Sequence, residues 1–317
     1  MHLTYAQAWN AYNEAQKAEV RLFDELLKDL VKTIPEPEQT IGRPRLSLHE
    51  SLFCAIQKVY SQLSSRRAYS LFENATQKGQ IEHAPHFNSP SKLFNNPDMT
   101  PVLHELVTLS ALPVAGIEID FAVDSTGFRT TTFNAYNGVK HGQKKEHQWV
   151  KAHLCAGVKT NVVAAVAITD AYSNDSPQFG PLVKKTAEGF RINEISADMA
   201  YSSRNNLQLV ANEGGKAYIP FRKNATGKAR GSTLWSKMYH YFQLNRDDFM
   251  EHYHKRSNIE ATNAAIKRKF GETLKSKNPV AQVNELLAKI IAYNVTVVIH
   301  EMYENGIQPE FLQSNGS

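Results

Sequence analysis

Two cysteines in 317 residues, Cys54 and Cys155, each inside an apolar stretch, are too few for a disulfide framework or a cysteine-built zinc site, and they suit a reducing cytosol. Long apolar runs are scarce too. The longest unbroken one is 162–168, and the greasy C-terminal stretch is interrupted by Lys289, so no bilayer span is expected. The amino terminus, MHLTYAQAWN, lacks a cationic start followed by an apolar block and does not read as a signal peptide. Repeats and low-complexity tracts are absent. A chain that is 42% hydrophobic and 21% charged is neither a disordered tail, a collagen nor a coiled-coil rod.

What is present is an uneven charge. The net charge is +5, yet residues 1–42 hold 4 basic and 7 acidic side chains, whereas residues 216–277 hold 14 Lys/Arg against 5 Asp/Glu. A concentrated basic segment suits a polyanion partner or a solvated surface. A second basic cluster is Lys140, Lys144, Lys145 and Lys151, opposed only by Glu146.

The chain divides near residue 112. Residues 1–112 read as about five short helices. LFDELLKDLV carries helical apolar spacing and stops before Pro35-Glu36-Pro37. Ser47 to Glu50 is a capping box, Ser64-Ser65 starts a third helix, and Ser89-Pro90 and Thr100-Pro101 open two more. In this all-helical module Arg43, Arg45, Arg66 and Arg67 are the candidates for phosphate contact. Residues 113–305 change pattern. IEIDFAVD alternates as a half-buried strand with Ile117, Ile119, Phe121 and Val123 on its apolar face. Strand-like runs follow at 128–136, 151–158 and 161–169. Helices are expected over 177–188, 203–213, 232–245, 255–270 and 279–304, with strands at 194–198 and 216–221. That is an α/β layout, closed by a tail at 306–317.

Three carboxylates stand out. Asp124 is expected to end the first strand and Asp198 another, each opposite the apolar face, where open α/β sheets bind ligands. Asp120 shares the face of Asp124. In YHKRSNIEATNAAIKRKF, read as one helix, Tyr253, Arg256, Glu260 and Lys267 fall within about 60° of one another. Ile259, Ile266 and Phe270 form a separate apolar stripe beside them. Hard oxygen ligands with cations nearby suit Mg²⁺ and phosphate, and two such ions can clamp an in-line phosphoryl displacement.

These residues carry a resemblance. Asp124 in AVDSTGF, Asp198 in ISADMAYSS and Glu260 in YHKRSNIEATNAAIKRKFG are similar to the Asp-Asp-Glu triad of bacterial and archaeal insertion-sequence transposases. Tyr253, Arg256, Glu260 and Lys267 fit the Tyr-x2-Arg-x3-Glu-x6-Lys signature of one large superfamily of these enzymes. The N-terminal YNEAQKAEVRLFDELL and GRPRLSLHESLFCAIQKVYSQLSSRR resemble the helical region of relatives. The resemblance implies a ribonuclease-H-like catalytic domain behind an all-helical N-terminal domain. It implies a triad holding two Mg²⁺ or Mn²⁺ ions, with Tyr253, Arg256 and Lys267 on DNA. It also implies cleavage and joining of double-stranded DNA at transposon ends, by a homodimer assembled on that DNA. No nucleotide cofactor and no membrane are expected, in the cytoplasm of a prokaryote at the nucleoid. With 61 residues between Asp198 and Glu260 there is no room for the large β-rich insertion of some relatives.

Other motifs are weaker. Lys144 and Lys145 are further DNA candidates. His141, His147, His153, His240, His252 and His254 lack an HExxH motif and read as surface or DNA-facing. NATGKARG fails as a nucleotide loop and reads as a flexible basic loop near DNA. Asp175 reads as a helix cap with a possible supporting role, and Trp149, Trp235 and Tyr241 as core. A repurposed, non-cutting DNA-binding derivative is the alternative; a glycosidase using Asp124 and Asp198 would leave the basic segment unexplained.

Overall fold

The computed structural model describes residues 8–38, 46–130 and 149–311. Arg43, Arg45, Lys140, His141, Lys144, Lys145 and His147 lie outside the described residues, as does most of the run at 128–136. The chain forms two compact units, residues 1–114 with 278–317, and residues 115–277.

The first unit contains only helices among its described residues: α1 (Trp9–Val31), α2 (Leu48–Ser61), α3 (Ser65–Gln77), α4 (Ser89–Asn95), α5 (Met99–Ala111) and, from the far end of the chain, α11 (Pro279–Glu304). Helix α1 buries Leu22, Phe23, Leu26, Leu27 and Leu30, the helical stripe read from the sequence. The capping box at α2 is half formed. Ser47 Oγ accepts the Glu50 N–H at 3.4 Å, but the Glu50 carboxylate accepts from the Glu82 N–H instead of turning back. Glu36 supplies the missing cap by accepting the N–H groups of Leu48 and His49 at 2.9 and 3.0 Å.

Helix α11 corrects the expected boundary at 305. It packs on α1, α2, α4 and α5 and so belongs to the helical unit, not to the α/β unit. By length and composition it could cross a membrane, contrary to the reading of the sequence, but 89% of its apolar window is buried against its neighbours. Buried side chains tie it down. Asn284 donates to the Phe94 and Asn96 carbonyls at 2.9 and 3.1 Å, which α4 leaves open at its C-terminus, and accepts from Thr100 Oγ1 at 2.8 Å. Asn294 donates to Ser110 Oγ at 3.0 Å and to the Val107 carbonyl at 3.3 Å. Asn284→Ala leaves the buried Phe94 carbonyl without its donor and should destabilise the helical unit by about 2–3 kcal/mol in chemical denaturation. A loss under about 0.5 kcal/mol, the size of an ordinary surface change, would show that the bonds do not matter there.

The second unit is built on a five-stranded sheet in the order β3-β2-β1-β4-β5. Strands β1 (Asp120–Arg129), β2 (Trp149–Gly157) and β3 (Val163–Asp170) pair antiparallel; β4 (Glu194–Ala197) and β5 (Lys216–Tyr218) add parallel on the other side of β1. Helices α6 (Ser176–Gly189), α7 (Arg204–Asn212), α8 (Thr233–Leu244), α9 (Arg246–His254) and α10 (Ser257–Phe270) complete it. Asp124 faces α10 through Arg256, while its neighbour Ser125 bonds Asp175 at the start of α6. Successive strand side chains leave on opposite faces, so α6 and α10 cover opposite sides of β1.

Three expectations change here. The alternation does not begin at Ile117: β1 starts at Asp120, Ile119 is 40% exposed, and Glu118 is the buried member. Its carboxylate accepts the Lys159 N–H at 3.0 Å, the Thr160 N–H at 2.7 Å and the Thr160 hydroxyl at 2.9 Å, anchoring the β2–β3 turn. Asp124 does not end β1, because pairing with β2 continues to Arg129 opposite Trp149. The helix expected through 253–270 is broken. Helix α9, not foreseen, ends at His254, and the Lys255, Arg256, Asn258 and Ile259 N–H groups reach back only three residues. Lys255 accounts for the break, since its ammonium is held by Asp120 at 2.7 Å and Glu194 at 2.8 Å.

Candidate active site

The register of β1 and β4 builds the site. Val123 lies opposite Ala197 in the parallel pair, so the next residue of each strand is an aspartate. Asp198 comes directly after the last residue of β4, close to the strand end that the sequence suggested. It opens a turn of 3₁₀ helix (Met199–Tyr201), where its carboxylate accepts the Ala200 N–H at 3.2 Å. Asp124 stays in β1, opposite Leu154 of β2.

Helix α10 brings the third acid. Its stripe Ile259, Ile266 and Phe270 is buried, as its spacing implied. Asn258 Nδ2 donates to the Val158 carbonyl at 3.0 Å, and Thr262 Oγ1 donates to Asn161 Oδ1 at 3.2 Å. These bonds fix the first turn of α10 against the β2–β3 end. Glu260 projects from that turn and is exposed. Between it and Asp124 stands Arg256, with one guanidinium nitrogen 2.6 Å from Glu260 and another 3.7 Å from Asp124. The Arg256 guanidinium also lies 5.9 Å from the centre of the Tyr253 ring. Lys267 is set apart from this group: its ammonium sits 5.4 Å over the Phe128 ring, near the far end of β1. Burial lowers the Lys267 pKa, with Glu272 opposing and Arg129 adding to the shift.

The electrostatics couple the acids. Burial raises the Asp124 pKa, the charges of Glu260 and Asp198 raise it further, and the Ser125 N–H and Arg256 pull it back. The Tyr201 phenol is also pushed up, by burial and then by the charges of Asp175, Asp124 and Asp198.

Asp175 has a different place from the one expected. It precedes α6, but its side chain does not cap the helix. It accepts from Ser125 Oγ at 3.2 Å and from Lys151 at 2.9 Å, and lies 3.6 Å from His153 Nδ1. This fastens the residue after Asp124 to β2. His153, expected at the surface, is fully buried, and burial lowers its pKa against the pull of Asp175. The alternation of β2 against β1 carried a signal for it, since His153 pairs with Ser125. Trp235 is core, whereas Trp149 and Tyr241 are half-buried. Arg66 and Arg67 are exposed on α3 of the helical unit, with Arg66 5.2 Å from the Phe87 ring.

The basic loop expected to be flexible is pinned. Arg204 donates to the Ala229 and Lys228 carbonyls at 3.2 and 3.1 Å and stacks 4.5 Å over Trp235, whose indole N–H donates to the Thr226 carbonyl at 2.8 Å. Arg222 reaches the Ala200 carbonyl at 3.5 Å, two residues past Asp198. Lys223, Lys228 and Arg230 remain exposed, and none of them pairs with a carboxylate among the described residues.

Among the described residues no three His, Cys, Asp or Glu side chains stand close enough to form a ready-made metal site. The donor set nevertheless fits a hard divalent cation. Asp124, Asp198 and Glu260 are oxygen donors whose charges act on one another, and Asp124 and Glu260 already share one cationic group, the Arg256 guanidinium.

A family model described as "Transposase DDE domain" matches residues 116–295. The probable transposase for insertion sequence element ISA1214 of Archaeoglobus fulgidus is 24% identical over 291 residues, which is 92% of this chain and 87% of that protein. A cryo-EM structure of a piggyBac transposase synaptic complex with hairpin DNA is similar at a TM-score of 0.40 and 11% identity, covering 91% of this chain and 74% of that one.

Proposed function

The chain belongs to the family of transposase DDE domains, and on that premise we propose that Asp124, Asp198 and Glu260 are its catalytic, metal-holding carboxylates, acting on double-stranded DNA at transposon ends. The family uses divalent metal ions. The observation that carries the assignment is the β1–β4 register, which sets Asp124 and Asp198 side by side, with Glu260 linked to Asp124 through Arg256. The ribonuclease-H-like reading of the unit is supported by the strand order β3-β2-β1-β4-β5, three strands antiparallel and two parallel. The Tyr-Arg-Glu-Lys reading is supported for Tyr253, Arg256 and Glu260 by their proximity.

Two Mg²⁺ or Mn²⁺ ions held by the three carboxylates would supply Lewis-acid stabilisation of the pentacovalent phosphate and activation of the attacking oxygen. The remaining work falls to this chain's own groups. Asp198 is oriented by the Ala200 N–H, and Asp124 by the strand on either side and by the Ser125–Asp175 bond. Arg256 presents a fork suited to phosphate oxygens, and Tyr253 a phenol that can donate to the same backbone. Lys267, further along α10, would meet a neighbouring phosphate. Hydrolysis at the element's end frees a 3′-OH, which then attacks target DNA. The protein forms no covalent link, so Tyr253 is a contact and not a nucleophile. Two ends are processed together by a dimer assembled on DNA.

The test is cleavage of a labelled duplex taken from the DNA flanking the gene, with Mg²⁺, with Mn²⁺ and with EDTA. Metal-dependent nicking at the element boundary is the expected result. Tight binding without nicking in either metal would favour a non-cutting derivative.

The pinned loop adds a DNA-facing surface beside Asp198. Replacing Lys223, Lys228 and Arg230 together by Gln should reduce the slope of log K against log[salt] for duplex binding by roughly 2–3, since each phosphate contact contributes about 0.9. An unchanged slope would place the DNA elsewhere.

A further inference from the structure

Arg256 is unusually placed for a residue that only holds DNA. It sits in the tight turn between α9 and α10 with its side chain 20% exposed, and it spends its guanidinium on two carboxylates of the site, Glu260 at 2.6 Å and Asp124 at 3.7 Å. Asp124 is three-quarters buried, and a buried carboxylate with like charges beside it is costly unless a cation answers it. In the absence of metal that cation is the guanidinium. The Glu260 lone pair given to an N–H of Arg256 is not free for a divalent ion, and the guanidinium charge 3.7 Å from Asp124 repels one there, so the two cations compete for the same position. The arm on Glu260 can leave, because Glu260 is 58% exposed, while the guanidinium keeps its bond to the Tyr253 side chain.

We infer that Arg256 is a resident counter-cation that guards the metal position between Asp124 and Glu260 until a DNA phosphate draws it away. The inference rests on the carboxylate assignment above. Metal loading and DNA binding are then linked: a duplex that takes up Arg256 raises the affinity for metal, and metal raises the affinity for DNA by the same factor. The arrangement withholds a fully loaded site from a chain with no substrate.

The experiment titrates the full chain with Mn²⁺ alone, following the free-ion EPR signal, and repeats it with a short duplex of unrelated sequence. Arg256→Gln should bind Mn²⁺ about tenfold more tightly than the wild type without DNA, as expected for removing a close positive charge. The duplex should tighten Mn²⁺ binding in the wild type by a similar factor and hardly at all in Arg256→Gln. Arg256→Lys, which keeps a charge but loses the fork, should show a smaller gain, and it serves if the Gln variant melts early. Unchanged or weaker Mn²⁺ binding in both variants, with binding still lost in Asp124→Asn, would overturn the inference alone. Equal Mn²⁺ binding by the wild type and Asp124→Asn would overturn the carboxylate assignment and the inference together.

Discussion

Asp124→Asn is expected to lower strand cleavage by at least about a thousandfold while leaving metal-free duplex binding in place, because several kcal/mol of metal-assisted stabilisation of the reacting phosphate depend on that charge. Asn has the same shape, keeps the β1 pairing with Leu154, and still leaves Arg256 and Tyr253 to meet DNA. What it removes is the anionic oxygen next to Asp198. The fold should not suffer. Burial holds the Asp124 carboxyl above its usual range, so its ionised form works against folding at neutral pH, and a neutral amide removes that cost. The melting temperature should therefore be unchanged or higher while activity disappears, the pattern of a site kept at the expense of stability. Gel shift, nicking and a thermal melt on one preparation check all three statements. Retention of more than about a tenth of wild-type nicking, a change of less than 1.4 kcal/mol, would remove Asp124 from the catalytic set.

Gly157→Ala should destabilise the α/β unit by about 3 kcal/mol, although Gly157 lies at the end of β2, remote from the acids in sequence. A methyl group there would stand 2.6 Å from Cγ of Glu118 and would overlap its carboxylate. A flexible surface glutamate would step aside. Glu118 cannot, since it is 1% exposed and holds the Lys159 and Thr160 N–H groups and the Thr160 hydroxyl. Moving it strands those donors. Denaturation of the single variants and of Gly157→Ala with Glu118→Ala tests the cause: the pair should cost much less than the sum of the two. Additive losses would mean the methyl group strains the backbone and not Glu118.

The parts of this protein written in local spacing were legible from the chain. Asp198 follows a four-residue strand and its turn residues, and the α10 stripe at 259, 266 and 270 is buried as its spacing required. The break at Lys255 was not, because its cause lies on two distant strands: Asp120 and Glu194 hold an ammonium that helical periodicity places on a continuous face. Nor was the true environment of Asp175 visible, since it takes its partners from other elements. The basic loop looked flexible by composition. Its order comes from Arg204 and Trp235, and neither is marked as a loop anchor by its neighbours in sequence. The pattern at 279–304 announced a helix, but it read as the last helix of the α/β unit, because the partners that bury it lie at the other end of the chain.

The position of α11 also sets a timetable for synthesis. The helical unit opens with α1 and is completed by a helix that leaves the ribosome only after residues 115–277 have been made. At roughly 5–20 residues per second, Leu22, Phe23, Leu26 and Leu27 wait on the order of tens of seconds for the helix that covers them. During that interval the α/β unit has both the time and the chain to fold, while the nascent helices hold apolar surface open to chaperones. A chain cut short before residue 279 would carry the three carboxylates and still lack the centre of its other unit.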